Sequence, residues 1–289
     1  MAERVLTPPK PVGGRLGPPA PATLDLERQP GFGFVACLCL IVLYAPIAVL
    51  VGFSFNADPS VTRWSEFSLQ WYREVLANDD IQRAAINSLT VAIVATVAAT
   101  AIATAAALAT TRTEPWPGQT AAYMVVNLPL LVPEIVTAVA TLSFFALLAG
   151  IFGIGFGIGN LILAHTVFCI PFAYMPIRAR LEDMDLTLEQ AAADLYAAPE
   201  QVFRRITLPL LMPGILAGAA LSFIVSFDDF TITQLVAGAG QTTLPLYIWG
   251  ALHRSGVTPE INAISSVLLI VSILFVALFF VVGRRGAKA

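Results

Sequence analysis

Lysine is nearly missing from this chain. The 289 residues hold only Lys10, preceded by Pro9, and Lys288, preceded by Ala287. A P-loop needs Gly-Lys-Ser/Thr to cradle phosphates, so ATP hydrolysis by that route is excluded. Charge of either sign is scarce as well. Charged residues make up 12% of the chain, about half the share usual in a soluble domain. With a net charge of -3 and no basic stripe, no nucleic-acid partner is expected. The three cysteines, Cys37, Cys39 and Cys169, lie inside apolar runs. Nothing pairs them into a disulfide framework, and no ligand cluster stands near the Cys-x-Cys pair. They read as small buried hydrophobes. The glycine-rich stretch 150–159, GIFGIGFGIG, is not a nucleotide loop, because Ile158 stands where the third Gly of G-x-G-x-x-G belongs. It reads as a flexible turn.

What the chain has in abundance is apolar length. It is 57% hydrophobic, with a mean hydropathy of +0.79. Runs of about 20 apolar residues mark transmembrane helices. Six such runs are predicted, near 32–55, 86–110, 121–149, 158–177, 210–236 and 261–282. The fold class expected is an all-α membrane protein with six transmembrane helices, in a domain over 31–289. The second run is rich in Ala and Thr, which predicts packing against neighbouring helices rather than lipid. Pro129 and Pro133 interrupt the third, and Pro171 lies in the fourth. Between the first two runs, Leu69, Tyr72, Val75 and Leu76 recur at helical spacing beside Trp64 and Trp71, as in an interfacial helix.

Residues 1–30 are rich in Pro and Gly and lack hydrophobic periodicity, which predicts a disordered cytoplasmic tail. They have no apolar core of the kind a signal peptide needs. Placing the N-terminus in the cytoplasm puts 12 of the 16 Lys+Arg on that side. Arg63, Arg73, Arg83 and Arg254 fall outside. This division obeys the positive-inside rule. It predicts cytoplasmic N- and C-termini.

A polar and charged interruption at 187–207 lies on the cytoplasmic side by the same count. Its first part, 188–195, is built from strong helix formers. Pro199 suits the first position of a second helical piece, with Val202, Phe203 and Ile206 at helical spacing and Arg204 and Arg205 opposite. Leu208-Pro209 is expected to end that piece, and Pro213-Gly214 to open the next apolar run. By residue chemistry alone the segment is either an ordinary amphipathic loop or a docking element. Its pattern resembles the cytoplasmic loop of permease subunits of binding-protein-dependent ABC importers. That pattern is E-A-A, three residues, Gly, nine residues, Ile, any residue, Leu-Pro. Here Gln190-Ala191-Ala192 fills the first part, Tyr196 falls at the Gly position, and Ile206, Leu208 and Pro209 are in register. Gln replaces Glu, with Glu189 one residue early, and Tyr replaces the Gly that would supply a positive φ cheaply. The resemblance implies that this loop, with Glu189, Gln190, Ala191, Ala192, Asp194, Tyr196, Arg204 and Arg205, couples the chain to a separate ATPase. It also implies the type I ABC importer permease fold.

Three carboxylates lie inside apolar runs: Glu134 in the third, and Asp228 and Asp229 in the fifth. Each costs ~2.5–3.5 kcal/mol on insertion scales. The two aspartates are read as lying on one helix, pointing about 100° apart. They either cap a helix break, pair with a neighbour's arginine, or line a path for a cation. Glu134, after Pro133, either bonds the backbone at a kink or joins that path. His165 reads as a packed, hydrogen-bonded core histidine, and Asn127 reads the same way.

Ser226–Phe230, Thr243–Ile248 and Gly256–Ala263 are similar to the C-terminal third of second-type spermidine/putrescine permease subunits. This resemblance implies a non-catalytic subunit without a cofactor of its own, in a bacterial inner membrane and in contact with lipid. Its implied partners are a homologous permease subunit, two copies of a P-loop ATPase that bind ATP and Mg, and a periplasmic or lipid-anchored binding protein. A polyamine is the implied cargo. Relatives that import amino acids, opines or phosphonates leave other cargoes open. A stand-alone secondary transporter also fits midplane charge and broken helices, although no inverted halves are visible in the sequence. A membrane sensor or scaffold would be expected to carry an appended soluble domain, which is not evident.

Overall fold

A computed structural model describes residues 32–153, 155 and 157–286. The expected tail over 1–30 and Lys288 lie outside the described residues. By internal contacts the chain divides into two units, Met1–Ala48 and Val49–Ala289.

Helix α1 runs Phe32–Phe53 and includes Pro46. Cys37 and Cys39 are exposed on it, contrary to the expectation that they are buried. A helix that is apolar all round can present its side chains to hydrocarbon instead of to protein. Cys169 is buried as expected.

The second unit is organised on α3, Asp79–Thr111. This helix begins seven residues before the apolar run suggested, because Asn78 starts it. The Asn78 side chain accepts from the N–H groups of Asp80 and Ile81 at 3.0 and 3.3 Å, and Asp79 and Asp80 complement the helix dipole. Small residues line one face: Ala92, Ala95, Ala99, Ala103 and Ala107 are all fully buried. They admit α6, Ile158–Asp183, and α9, Leu208–Phe227. Between these two helices the backbones nearly touch. A Cβ on Gly218 would sit 2.7 Å from the Ala173 carbonyl oxygen, and one on Gly214 would sit 2.7 Å from Arg180 Cβ. Close approach through small residues is the usual way membrane helices gain packing energy without a hydrophobic driving force. Helix α12, Pro259–Gly286, joins them by stacking Phe275 on Phe223 at 4.2 Å between centroids.

Among the described residues six helical stretches are long and apolar enough to span a membrane, as the sequence predicts. Three local features refine this reading. The third run forms two helices, α4, Gln119–Leu131, and α5, Glu134–Phe152, broken at Val132-Pro133. The fifth run also breaks. α9 ends at Phe227, and a short α10, Thr231–Val236, follows. Asp228 and Asp229 therefore sit at a helix break and not on one continuous helix, because the Asp229 side chain supplies hydrogen bonds that open the turn. The helix between the first two spans, α2, Gln70–Ala77, packs Val75, Trp71 and Tyr72 against Ile81, Ala84 and Ile264. Leu69 and Leu76 remain exposed.

Candidate functional site

The break in the fifth span and the polar loop form two separate candidate sites. At the break, Asp229 is buried. Its Oδ1 accepts from the Ile232 N–H at 3.3 Å, and its Oδ2 accepts from the Thr233 N–H and hydroxyl, each at 2.9 Å. These bonds satisfy donors that the first turn of α10 would otherwise leave orphaned.

His165 on α6 extends the network. Its Nε2 lies 3.0 Å from Thr233 Oγ1 and 3.4 Å from Asp229 Oδ2, and its Nδ1 lies 2.8 Å from Ser226 Oγ. The Thr233 hydroxyl proton is committed to Asp229. With that proton committed, Nε2 is the donor to Thr233 Oγ1, while Nδ1 pairs with the Ser226 hydroxyl. An imidazole engaged at both ring nitrogens thus ties α6 to both sides of the break. This is the packed core histidine that the sequence suggested, with its partners now named.

Asp228 differs from its neighbour. It is exposed, its N–H bonds Ile224 O at 3.0 Å, and among the described residues its carboxylate has no hydrogen-bond or ion-pair partner. Glu134 opens α5 directly after Pro133 and interacts with the Asp229 and Thr231 side chains. The structure thus brings all three membrane carboxylates to one place. Neighbouring carboxylates repel each other, and a bound cation relieves the repulsion. Asn127 is buried on α4 and donates to Tyr123 O at 2.8 Å. Sequence reasoning gave no roles to Ser226 and Thr233. The Asp229-to-Thr233 spacing of four residues was the available signal.

In the polar loop, α7 covers Thr187–Asp194 and α8 covers Pro199–Val202, with Pro199 in the first turn as predicted. Asp185 accepts from the Thr187 N–H at 2.9 Å, which holds its carboxyl below the usual carboxylate range. The turn between the helices is a Schellman motif. Ala197 N–H bonds Ala192 O at 3.1 Å, and Tyr196 N–H bonds Ala193 O at 2.9 Å. Tyr196 adopts φ 58° to make it, the one positive φ outside glycine among the described residues. A tyrosine therefore adopts the left-handed conformation expected of glycine.

The second piece does not end at Leu208-Pro209 as expected. A π-helical turn, Phe203–Thr207, carries it straight into α9. There the Leu208 N–H reaches back five residues to Phe203 O. Pro209 has no N–H, and in an α-helix its ring would crowd the Arg205 carbonyl; the wider turn relieves both problems.

Gln190, Ala191, Asp194 and Tyr196 are exposed, and Ala192 is half-buried. Arg204 pairs with Glu200 at 3.3 Å in an exposed position. Arg205, Ile206, Leu208 and Pro209 line a groove of about 600 Å³ with Leu188 and Met212. Glu189 instead turns inward. Its Oε1 accepts from Thr207 Oγ1 at 2.9 Å and lies 3.8 Å from Arg112 Nη2.

Helix α11, Leu244–Ser255, lies between the last two spans and grows from the Thr243–Ile248 segment. It is held to α3 by a bond from Leu244 N–H to Ser88 Oγ at 2.8 Å and by Asn87 Nδ2 bonds to Gly240 O and Thr242 O.

The fold is that of an ABC importer permease. It superposes on a bacterial ABC transporter involved in the import of the acidic polysaccharide alginate, with TM-score 0.70 at 18% identity over 90% of this chain and 97% of that one. The MetNI methionine ABC transporter aligns with TM-score 0.56 at 20% identity over 70% and 92% of the two chains. Residues 101–285 match the family described as binding-protein-dependent transport system inner membrane component, and the chain belongs to that family. It is similar to the putrescine transport system permease protein PotI of Escherichia coli K12, 36% identical over 85% of this chain and 88% of the relative. It is equally similar to the spermidine/putrescine transport system permease protein PotC of Haemophilus influenzae, 36% identical over 84% and 93%.

Proposed function

We propose that this chain forms part of the membrane path of an ATP-driven importer whose cargo is a polyamine. The observation that carries the cargo is the group of Asp228, Asp229 and Glu134 at the two helix breaks. Asp228 is open and unpaired, and Glu134 stands beside Asp229. Among the described residues no Lys or Arg lies at these breaks, so compensation falls to water, backbone donors, a partner subunit or a bound cation. An oligoamine places two or more ammonium groups along a flexible chain. Carboxylates at successive positions replace its hydration in stages and bind weakly enough at each for release. Relatives named as putrescine and spermidine/putrescine permeases support the same cargo.

In this reading Asp228 and Glu134 meet the cargo, while Asp229 holds the break open. The rest of the machine is a homologous permease subunit, two P-loop ATPase subunits that bind ATP and Mg, and a binding protein outside the membrane. Both termini and the 187–207 loop face the cytoplasm, and the exposed residues of α7 and Tyr196 dock the ATPase. This chain itself performs no catalysis.

The test is uptake of radiolabelled putrescine and spermidine into proteoliposomes that hold the complete complex. Uptake driven by ATP and the binding protein supports the reading. A complex that hydrolyses ATP but moves an amino acid or an anion, and neither amine, overturns the cargo.

A further inference from the structure

Arg112 ends α3, and its guanidinium is mostly enclosed, with 16% of the side chain exposed. Its Nε and Nη2 are buried and make no hydrogen bond among the described residues. Buried guanidinium donors are costly when unmatched, so an acceptor is expected nearby. The acid that faces them is Glu189 of α7, 3.8 Å away and itself 21% exposed. Glu189 is already fixed on its other side by the Thr207 hydroxyl, in the π-turn that leads into α9. A shift of about 1 Å would bring the Arg112–Glu189 pair into hydrogen-bond range.

Helix α3 runs unbroken from this pair to Ser88 and Asn87, which hold the 240–244 segment by the three bonds described above. The distance between Ser88 and Arg112 along the helix is roughly 36 Å at 1.5 Å per residue. One rigid, closely packed element thus touches α7 at one end and the segment that follows the Asp228–Asp229 break at the other. Rigid elements of this kind carry coupling between distant sites.

We infer that Arg112 and Glu189 are positioning residues through which displacement of α7 drives α3, and that α3 passes the motion to the 240–244 segment. This rests on the proposal that α7 docks the ATPase. It gives a reason for the early carboxylate: Glu189 faces this chain's own α3, while Gln190 stays on the open side.

The experiment uses the whole complex with Cys37, Cys39 and Cys169 replaced by serine and with Thr242→Cys as a reporter. Thr242 is exposed. Its labelling rate by a membrane-impermeant maleimide is read with and without ATP and vanadate, so no cargo is needed. The ATP-dependent change in rate is expected to fall about tenfold in Arg112→Ala and in Glu189→Ala. The double variant should be no worse than either alone, and Arg112→Lys should keep part of the response. The ATPase should still co-purify in every case.

An unchanged response in Arg112→Ala, or fully additive losses, overturns the inference. So does loss of the ATPase from the Arg112→Ala complex alone, since the pair would then serve docking. An ATPase that fails to co-purify with the unsubstituted chain overturns the docking proposal and the inference with it.

Discussion

His165 donates through Nε2 to Thr233 Oγ1 across 3.0 Å, joining the middle of α6 to the first turns of α10. The Thr233 hydroxyl passes its own proton to Asp229, so the histidine acts on the carboxylate through a threonine. This relationship separates the two adjacent aspartates. One is held by a chain of buried bonds, and the other is free to meet a ligand.

The first prediction follows from that separation. Asp229→Ala should lower stability by about 1–3 kcal/mol, because it leaves two backbone N–H groups and a buried hydroxyl unsatisfied. Asp228→Asn should leave the unfolding temperature in detergent unchanged and reduce putrescine uptake. Equal thermal shifts in the two variants would refute the division of roles.

His165→Phe keeps the ring and removes both hydrogen bonds. It strands Ser226 Oγ and deprives Thr233 of its donor, so a loss of about 1–3 kcal/mol is expected. His165→Gln offers one donor and one acceptor and should recover part of that stability. Thermal unfolding of the solubilised chain compares the two, and Phe performing as well as Gln would contradict the network.

Tyr196→Gly should stabilise the turn after α7. A non-glycine residue in the left-handed region is disfavoured by roughly 1–2 kcal/mol, and glycine removes that strain. Glycine's larger unfolded-state entropy offsets part of the gain. Hydrogen exchange at the Ala197 amide, bonded to Ala192 O, should slow several-fold. Faster exchange would mean that the tyrosine side chain itself holds the turn.

Ala192→Arg tests the docking face. The residue is half-buried on α7, and a long charged side chain there should block approach of a partner while the protein still inserts. Membrane levels should stay normal while ATPase co-purification and uptake fall. Retention of both would remove α7 from the docking surface.

Gly218→Ala and Gly214→Ala probe the α6–α9 contact. At Gly218 the new methyl meets backbone, the Ala173 carbonyl, whereas at Gly214 the nearest atom is a side-chain carbon of Arg180. Overpacking against backbone is the harder to relieve, so Gly218→Ala should lose about 1–3 kcal/mol and Gly214→Ala less. The reverse order in thermal unfolding would show that the helices separate more easily than their packing suggests.

Composition and periodicity alone determined that this chain is a six-span helical membrane protein without a P-loop in its sequence. Lipid demands long uninterrupted apolar runs, and phosphate binding demands a lysine in a glycine loop, so both conclusions rest on local chemistry. The spacing from Gln190 to Pro209 likewise placed the polar loop before any fold was known. Three-dimensional packing decided the rest. Pro209 marks the end of a helix by propensity, yet a π-turn carries the helix through it, because neighbouring turns can shift their bonds. Asp228 and Asp229 are alike in sequence and opposite in surroundings, since only the approach of His165 and Thr233 separates them. Glu134 reaches Asp229, and Arg112 reaches Glu189, only after helices far apart in the chain are brought together. Such pairings depend on which faces of the helices meet, and apolar runs with little periodicity leave those faces unmarked.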